Sequence, residues 1–350
     1  MTKLRIGIIG CGEVVQVIHL PSLHQLGDLF TVTALCDMSS EVLQAVGEQW
    51  NIPNRCQDYS DLLARADVDA VLVASPDAYH AEAVLAAIAA GKHVLVEKPM
   101  CISPAEAYAI IAAQAQAGVT VQVGYMRRYA PAFVEACRLL PALGSIRLAR
   151  AHAVIGGNPL FIGPTASVVR GDDIPAAVLF AGKQRRDALI EEAIGPAPDL
   201  LRRVYSLLLG LSSHDLSALR ELLGPPQRVL YAAARRDGIY LTAALDYGDF
   251  ICHFETGIDN IPRFDAHLEV YGVDKVLRVQ YNTPYVRNLP TTLAVTEANG
   301  RGGVLARSEH PAWGDAFVEE WRAFHQSVTT STPPKTSPAD FRQDLLCLGR

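Results

Sequence analysis

The stretch LRIGIIGCGEVVQVIH (residues 4–19) decides how the rest of the chain is read. Leu4 to Ile9 is an apolar run of strand length that breaks at Gly10, and a helix opens just after Gly12. A strand that passes through a Gly-x-Gly turn into a helix aims backbone N–H groups and a helix N-terminus at one place, the arrangement that receives a pyrophosphate. Gly10 makes the turn, Gly12 lets the backbone approach the phosphates, and Glu13 and Val14 follow on the cofactor side. The third glycine position holds Val15, which weakens helix-to-strand closeness more than phosphate binding.

Four more apolar runs repeat the pattern: TVTALCD (31–37), AVLVAS (70–75), HVLVEKP (93–99) and VTVQVGY (119–125). Helical stretches rich in Ala, Leu and Glu separate them, and two of these end at Gly91 and Gly118, where a left-handed residue stops a helix. Near-continuous apolar strands alternating with helices predict a doubly wound parallel sheet covered on both faces, an α/β Rossmann domain over residues 1–124. The second strand ends in Asp37, 25 residues beyond Gly12, where an acid can accept both ribose hydroxyls of an adenosine. Met38 follows rather than an arginine, so the expected cofactor is NAD in preference to NADP. Asp37 can alternatively be a strand-end acid that only caps the helix beginning near Ser39.

Composition narrows the ligand class. With 350 residues, half of them hydrophobic, the chain can bury a core of about two domains. A formal charge of −6 without long basic blocks argues against nucleic acid and anionic membrane as partners, leaving small molecules. No secretory pattern or membrane-length apolar run is found, and seven scattered cysteines show no CxxC pair, so a reducing cytoplasm and no metal are expected.

ASPDAYH (74–80) and VEKPM (96–100) fall at carboxyl ends of strands, where ligands bind in such sheets. Lys98 is the sharpest chemical candidate, because an ammonium there can hydrogen-bond a substrate hydroxyl and ease loss of its proton. Alone, Glu97–Lys98 would read as a surface ion pair. With GIIGCG, CD (36–37), ASPDAYHAEA, EKPM and GYMRRYAPAF (124–133) in this order and spacing, however, the chain resembles the Gfo/Idh/MocA oxidoreductases. The resemblance implies that Lys98 contacts the reacting oxygen, that Ser75, Pro76 and His80 line the cofactor side, and that Glu97 lies near the nicotinamide ribose. It implies reversible hydride transfer between nicotinamide and a secondary alcohol of a sugar or cyclitol. Tyr125, Arg127 and Arg128 follow a strand end and could line the substrate side.

Beyond Ser145 the pattern turns to hairpin-linked strands: IRLARAHAVI, QRVLYAAARR, IYLTAALDY, DFICHFETGI, AHLEVYG and KVLRVQY. An α+β domain with a large, open, mostly antiparallel sheet is expected over 125–350, interrupted by a helical insertion at about 156–206. The resemblance implies a homodimer or homotetramer through the open face. It also implies an Asp followed four residues later by His on one helix face. In SLLLGLSSHDLSALRELLG (206–224) His214 matches the histidine, but Gly210 stands where the acid should be. Asp215 is about 100° around a regular helix and is no simple substitute, though it remains a candidate for substrate contact. His214, an imidazole with an ordinary pKa of about 6.5, suits proton transfer. Within the insertion, Arg170, Asp172, Asp173 and Tyr205 are candidates for replacing the acid or gripping substrate, GGNPLFIGPTASVVRGDDIP (156–175) is loop-like, and PAAVLFAGKQRRDALIEEAIGP (175–196) is a helix. The expected function is therefore NAD(P)-dependent oxidation or reduction of a polyhydroxylated small molecule. The alternatives are a sensor or corepressor-like protein without redox turnover, and an enzyme that uses bound NAD for transient oxidation in a lyase or glycosidase reaction.

Overall fold

The computed structural model describes residues 2–235 and 238–348. The apolar runs that alternate with helices form a parallel sheet in the order β3-β2-β1-β4-β5-β6. Its strands are β1 (Leu4–Ile9), β2 (Phe30–Cys36), β3 (Asn54–Cys56), β4 (Ala70–Val73), β5 (His93–Glu97) and β6 (Val121–Gly124). β4 and β6 are buried along their whole length, as a sheet covered on both faces requires. The chain order reverses between β1 and β4, so their carboxyl ends open a crevice.

Gly10 stands at that crevice with φ +90°. A Cβ on it would lie 2.6 Å from the backbone of Ala74 and Ser75 at the end of β4. Both the dihedral and the contact demand glycine. The helical segment that follows starts as a π-turn, Val15–His19, in which the Leu20 N–H reaches the Val15 carbonyl. Its cause is downstream: Pro21 has no N–H to offer the Val17 carbonyl, so the ladder is interrupted here. Val15 is fully buried in this wider turn.

The second sheet runs β14-β13-β12-β11-β7-β10-β9-β8. These strands are β7 (Leu148–Gly156), β8 (Arg228–Arg235), β9 (Tyr240–Asp246), β10 (Ile251–Asp259), β11 (Phe264–Tyr271), β12 (Lys275–Tyr281), β13 (Thr292–Ala298) and β14 (Val304–Glu309). All neighbours are antiparallel except β7 and β10. Alternation places Ala149, Ala151, Ala153, Phe254, Leu268 and Val279 in one core. Helices Pro131–Leu139 and Ser213–Leu223 cover that face, while Arg150, His152, Glu255 and Arg278 are left partly exposed.

Two compact units emerge, and they do not follow chain order. One holds residues 2–125, Ser167–Ala197 and residues 320–348; the other holds Met126–Ala166 and the described residues of Pro198–Glu319. The expected split into 1–124 and 125–350 thus differs at two places, because much of the insertion and the C-terminal helical region pack with the Rossmann sheet. Helix Ala176–Ile194 starts after Pro175 and stops at Gly195 as expected, and Arg186 on it reaches both carboxylate oxygens of Asp77 at 3.1 and 3.0 Å. Residues 156–175 are not wholly loop: Pro159 opens a short helix, Pro159–Thr165, because its fixed φ suits a first helical position. The expected strand QRVLYAAARR is seen as Arg228–Arg235, and Arg236 lies outside the described residues. β3, β13 and β14 were not expected.

Replacing Gly10 by alanine should cost at least about 2 kcal/mol of stability, because strain and a backbone clash coincide. Urea denaturation checks this, and a loss below about 0.5 kcal/mol would show that the β1–β4 crevice relaxes around a methyl group.

Candidate cofactor site and catalytic residues

Gly12 differs from Gly10. Its φ is not positive, and a Cβ would meet nothing within 4 Å. Neither conformation nor packing explains a glycine there, so its missing side chain leaves room for something outside the chain. Asp37 faces the same loop. Its Oδ2 accepts from the Cys11 N–H at 2.7 Å and its Oδ1 from the Ser39 N–H at 2.9 Å. Each carboxylate oxygen has a further lone pair, so the acid can hold the turn and still accept ribose hydroxyls. The cap-like contact with Ser39 therefore leaves acceptor capacity on Asp37.

At the end of β4 the buried Ser75 Oγ has no hydrogen-bond partner among the described residues. His80 ties this strand end to the next one: Nε2 lies 2.6 Å from the Ser75 carbonyl and Nδ1 2.7 Å from the Pro99 carbonyl. A spare cradle at Gly12, an orphaned hydroxyl at Ser75 and spare acceptors on Asp37 together fit a dinucleotide.

Glu97, at the end of β5, is buried at 7% exposure. The Trp321 indole N–H donates to His19 Nδ1 at 3.1 Å, which leaves His19 Nε2 as the donor to Glu97 Oε1 at 2.9 Å. Glu97 Oε2 accepts from the Lys98 backbone N–H at 3.0 Å. Burial pushes the carboxyl's pKa up, but the His19 hydrogen bond and the positive charge of Lys98 and His80 outweigh it and hold the value below the ordinary one. Both carboxylate oxygens are thus engaged inside the Rossmann unit, and Lys98 follows directly, half-buried at the strand end. The sequence did not single out His19 or Trp321 as partners. The only signal was a histidine on a mostly apolar helical stretch, and Trp321 also packs edge-on against Phe30 and Phe324.

In the second unit, helix Ser213–Leu223 carries His214, buried at 8%. A π-turn, Leu208–Ser212, precedes it: the Ser213 N–H reaches the Leu208 carbonyl, and the Ser213 hydroxyl takes the Leu209 carbonyl instead, at 2.7 Å. Four-residue spacing does not hold across such a turn, so Gly210 is not simply one helical turn before His214. Gly210 is exposed, with open space around a would-be Cβ. Asp215 turns into the protein, 1% exposed, and pairs with the buried Arg127. Burial pushes the Asp215 carboxyl up while the Arg127 charge opposes it. Arg127 also lies against the rings of Phe264 and Tyr281, at 5.6 and 5.1 Å. Arg128 is equally buried and pairs with Glu221. The two arginines expected on the substrate side are therefore held by carboxylates within the second unit. Tyr125 is fully buried and stacks on Phe341 in the first unit. Of the insertion candidates, Tyr205 is buried in the second unit. Arg170, the Asp172 N–H and Asp173 lie instead in the first unit, on Glu13, Glu41 and Ser39–Ser40.

A family model described as an oxidoreductase family with an NAD-binding Rossmann fold, Gfo/Idh/MocA, matches residues 4–125. Over most of its length the chain is similar to the inositol 2-dehydrogenase of Paracoccus denitrificans, 30% identical with 91% of this chain and 82% of that protein covered. The chain belongs to the Gfo/Idh/MocA oxidoreductase family. Myo-inositol 2-dehydrogenase of Thermotoga maritima is 25% identical over 98% of this chain and 93% of that one. Among solved structures, a 3-ketoreductase from Actinomadura kijaniata in complex with TDP-benzene and NADP has the same fold, with a TM-score of 0.74 at 21% identity, covering 99% of this chain and 96% of its own.

Two outcomes follow from the buried charges. Asp215→Ala, which strands Arg127, should lower stability by about 3 to 5 kcal/mol in urea denaturation. An Asp215 that served proton transfer instead would leave the variant stable and slow. Glu97, with its pKa depressed on folding, stabilises above the unfolded carboxyl's value of about 4.3, and that contribution is lost as pH falls through the lower folded value. Acid unfolding of Glu97→Gln should therefore be less steep below about pH 4 than that of the parent protein, and parallel curves would show Glu97 already neutral in the fold.

Proposed function

We propose that this chain is an NAD-dependent dehydrogenase or ketoreductase acting on a secondary alcohol or ketone carbon of a sugar, sugar derivative or cyclitol. The observation that carries the reading is Gly12, a glycine required by neither backbone nor neighbours, on the turn after β1 whose Cys11 N–H is held by an acid, Asp37, at the end of β2. The named activities of the inositol dehydrogenase relatives support the substrate class. Preference for NAD rests on Asp37 at the ribose and on the absence of a basic residue from Met38 to Glu41.

The cofactor supplies a hydride acceptor or donor; the chain supplies everything else. Gly10, Gly12, Glu13 and Val14 form the loop for its pyrophosphate, Asp37 holds the adenosine ribose, and Ser75, Pro76, His80 and Glu97 line the strand ends beyond. Lys98 donates a hydrogen bond to the reacting oxygen and lowers the cost of its deprotonation. His214 takes up or returns that proton, a role that an imidazole can fill without a neighbouring carboxylate. Assembly as a homodimer or homotetramer through the open face of the second sheet belongs to the same reading.

Sugars and cyclitols screened with NAD and followed by NADH absorbance test it. Lys98→Ala should lower kcat/KM by at least about a hundredfold on any substrate found, the usual range for losing a general acid or base. Equal turnover in both proteins would remove Lys98 from the chemistry. Gly12→Ala should fold normally but bind NAD more weakly, and unchanged affinity would take the cradle away from the phosphates. Substrate loss with no NADH formed would favour transient oxidation by a retained cofactor.

A further inference from the structure

Residues 167–173 form a strap across the dinucleotide loop, and nothing in the Rossmann fold itself calls for it. Gln16 clamps it from both sides: Oε1 accepts from the Val169 N–H at 2.9 Å and Nε2 donates to the Val169 carbonyl at 3.0 Å. Arg170 pairs with Glu13, and the Asp172 N–H donates to Glu41 Oε2 at 3.0 Å. At Gly171 a Cβ would come within 2.0 Å of Ser39 Oγ, so glycine is what lets the strap reach the second loop. The next side chain is the informative one. Asp173 Oδ1 accepts from Ser39 Oγ at 2.5 Å, and Oδ2 accepts from Ser40 Oγ and Ser40 N, both at 2.7 Å, and from the Glu41 N–H at 3.3 Å.

Two hydroxyls and two backbone N–H groups at the start of helix Ser40–Gln49 are the donors a phosphate would choose. They begin two residues after Asp37, the acid assigned to the adenosine ribose. We propose that Asp173 sets cofactor choice: its carboxylate fills, as an internal anion, the donor set that the 2′-phosphate of NADP would need, and so restricts the chain to NAD. This rests on the cofactor reading given above.

Charge supports the exclusion as well as occupancy. The Ser39 and Ser40 hydroxyls lower the Asp173 pKa to about 2, so it stays ionised wherever the protein would work. Asp37, Glu41 and Asp172 add further carboxylates to the same rim, and Arg170, the strap's cation, is paired with Glu13. A phosphate dianion would meet like charges and find its donors taken.

Affinities for NAD and NADP, measured by calorimetry for the parent protein, Asp173→Asn and Asp173→Ala, test the proposal, with circular dichroism melts as the check on folding. The parent should bind NAD at least about tenfold more tightly than NADP, and removal of the charge should raise NADP affinity by about tenfold while NAD changes less than about twofold. The asparagine variant keeps the side chain's shape and decides the matter if the alanine variant does not fold. An NAD to NADP ratio unchanged in folded variants overturns the role of Asp173 and leaves the cofactor reading standing. A parent that binds neither dinucleotide, or prefers NADP, overturns the reading and the proposal together.

Discussion

The Rossmann unit depends on one close approach, that of Gly10 to the peptide joining Ala74 and Ser75. β1 and β4 are adjacent although β2 and β3 lie between them in the sequence, and only a residue without a Cβ lets the turn after β1 lie on the end of β4. The other assigned positions are placed from there. β4 is followed by Ser75, whose carbonyl holds His80; His80 reaches across to the Pro99 carbonyl just beyond β5, where Glu97 and Lys98 lie. The strand ends that a ligand would meet are thus linked by two short hydrogen bonds to one buried ring. A methyl group at Gly10 would disturb them all through a single contact.

The polar groups behind this surface carry a desolvation cost, which is the physical clue to their use. Burying Glu97 is unfavourable by itself, and a leucine there would pack at no such cost. What Glu97 provides is direction: with one oxygen on His19 and the other on the Lys98 N–H, it fixes the backbone from which the lysine side chain departs. Trp321 fixes the His19 tautomer from the far side. The C-terminal helical region contributes to the dinucleotide unit through this contact.

Parallel strands, the Gly-x-Gly turn, Asp37 and the helix stops were legible in the sequence because each is a local consequence of residue type: apolar runs, glycine at positive φ, an acid at a strand end. β13 was not expected, because only Leu293 and Val295 of its seven residues are buried and so short an alternation is a weak strand signal. β14 was missed because five of its six residues are exposed, so no buried face marks it in the pattern. The strap was illegible for a different reason. Nothing local in VVRGDDIP says that Asp173 will bond 133 residues back to Ser40, because such a pairing is written in tertiary placement alone.

Two π-turns show how local irregularity also misled a spacing argument. The one at Val15–His19 follows from Pro21 and could have been anticipated from the missing N–H. The one at Leu208–Ser212 has no proline; the Ser213 hydroxyl replaces its own N–H on the Leu209 carbonyl, a substitution that serine makes only in some helices. Counting four residues back from His214 assumed regular geometry through that turn. The absence of an acid at Gly210 is therefore a weaker argument for lost catalysis than the sequence alone made it, since the position does not occupy the face the count assigned. Asp215 offers no replacement either, because its partner is Arg127. His214 itself stands in the first turn of helix Ser213–Leu223, whose backbone position is set by that irregular start.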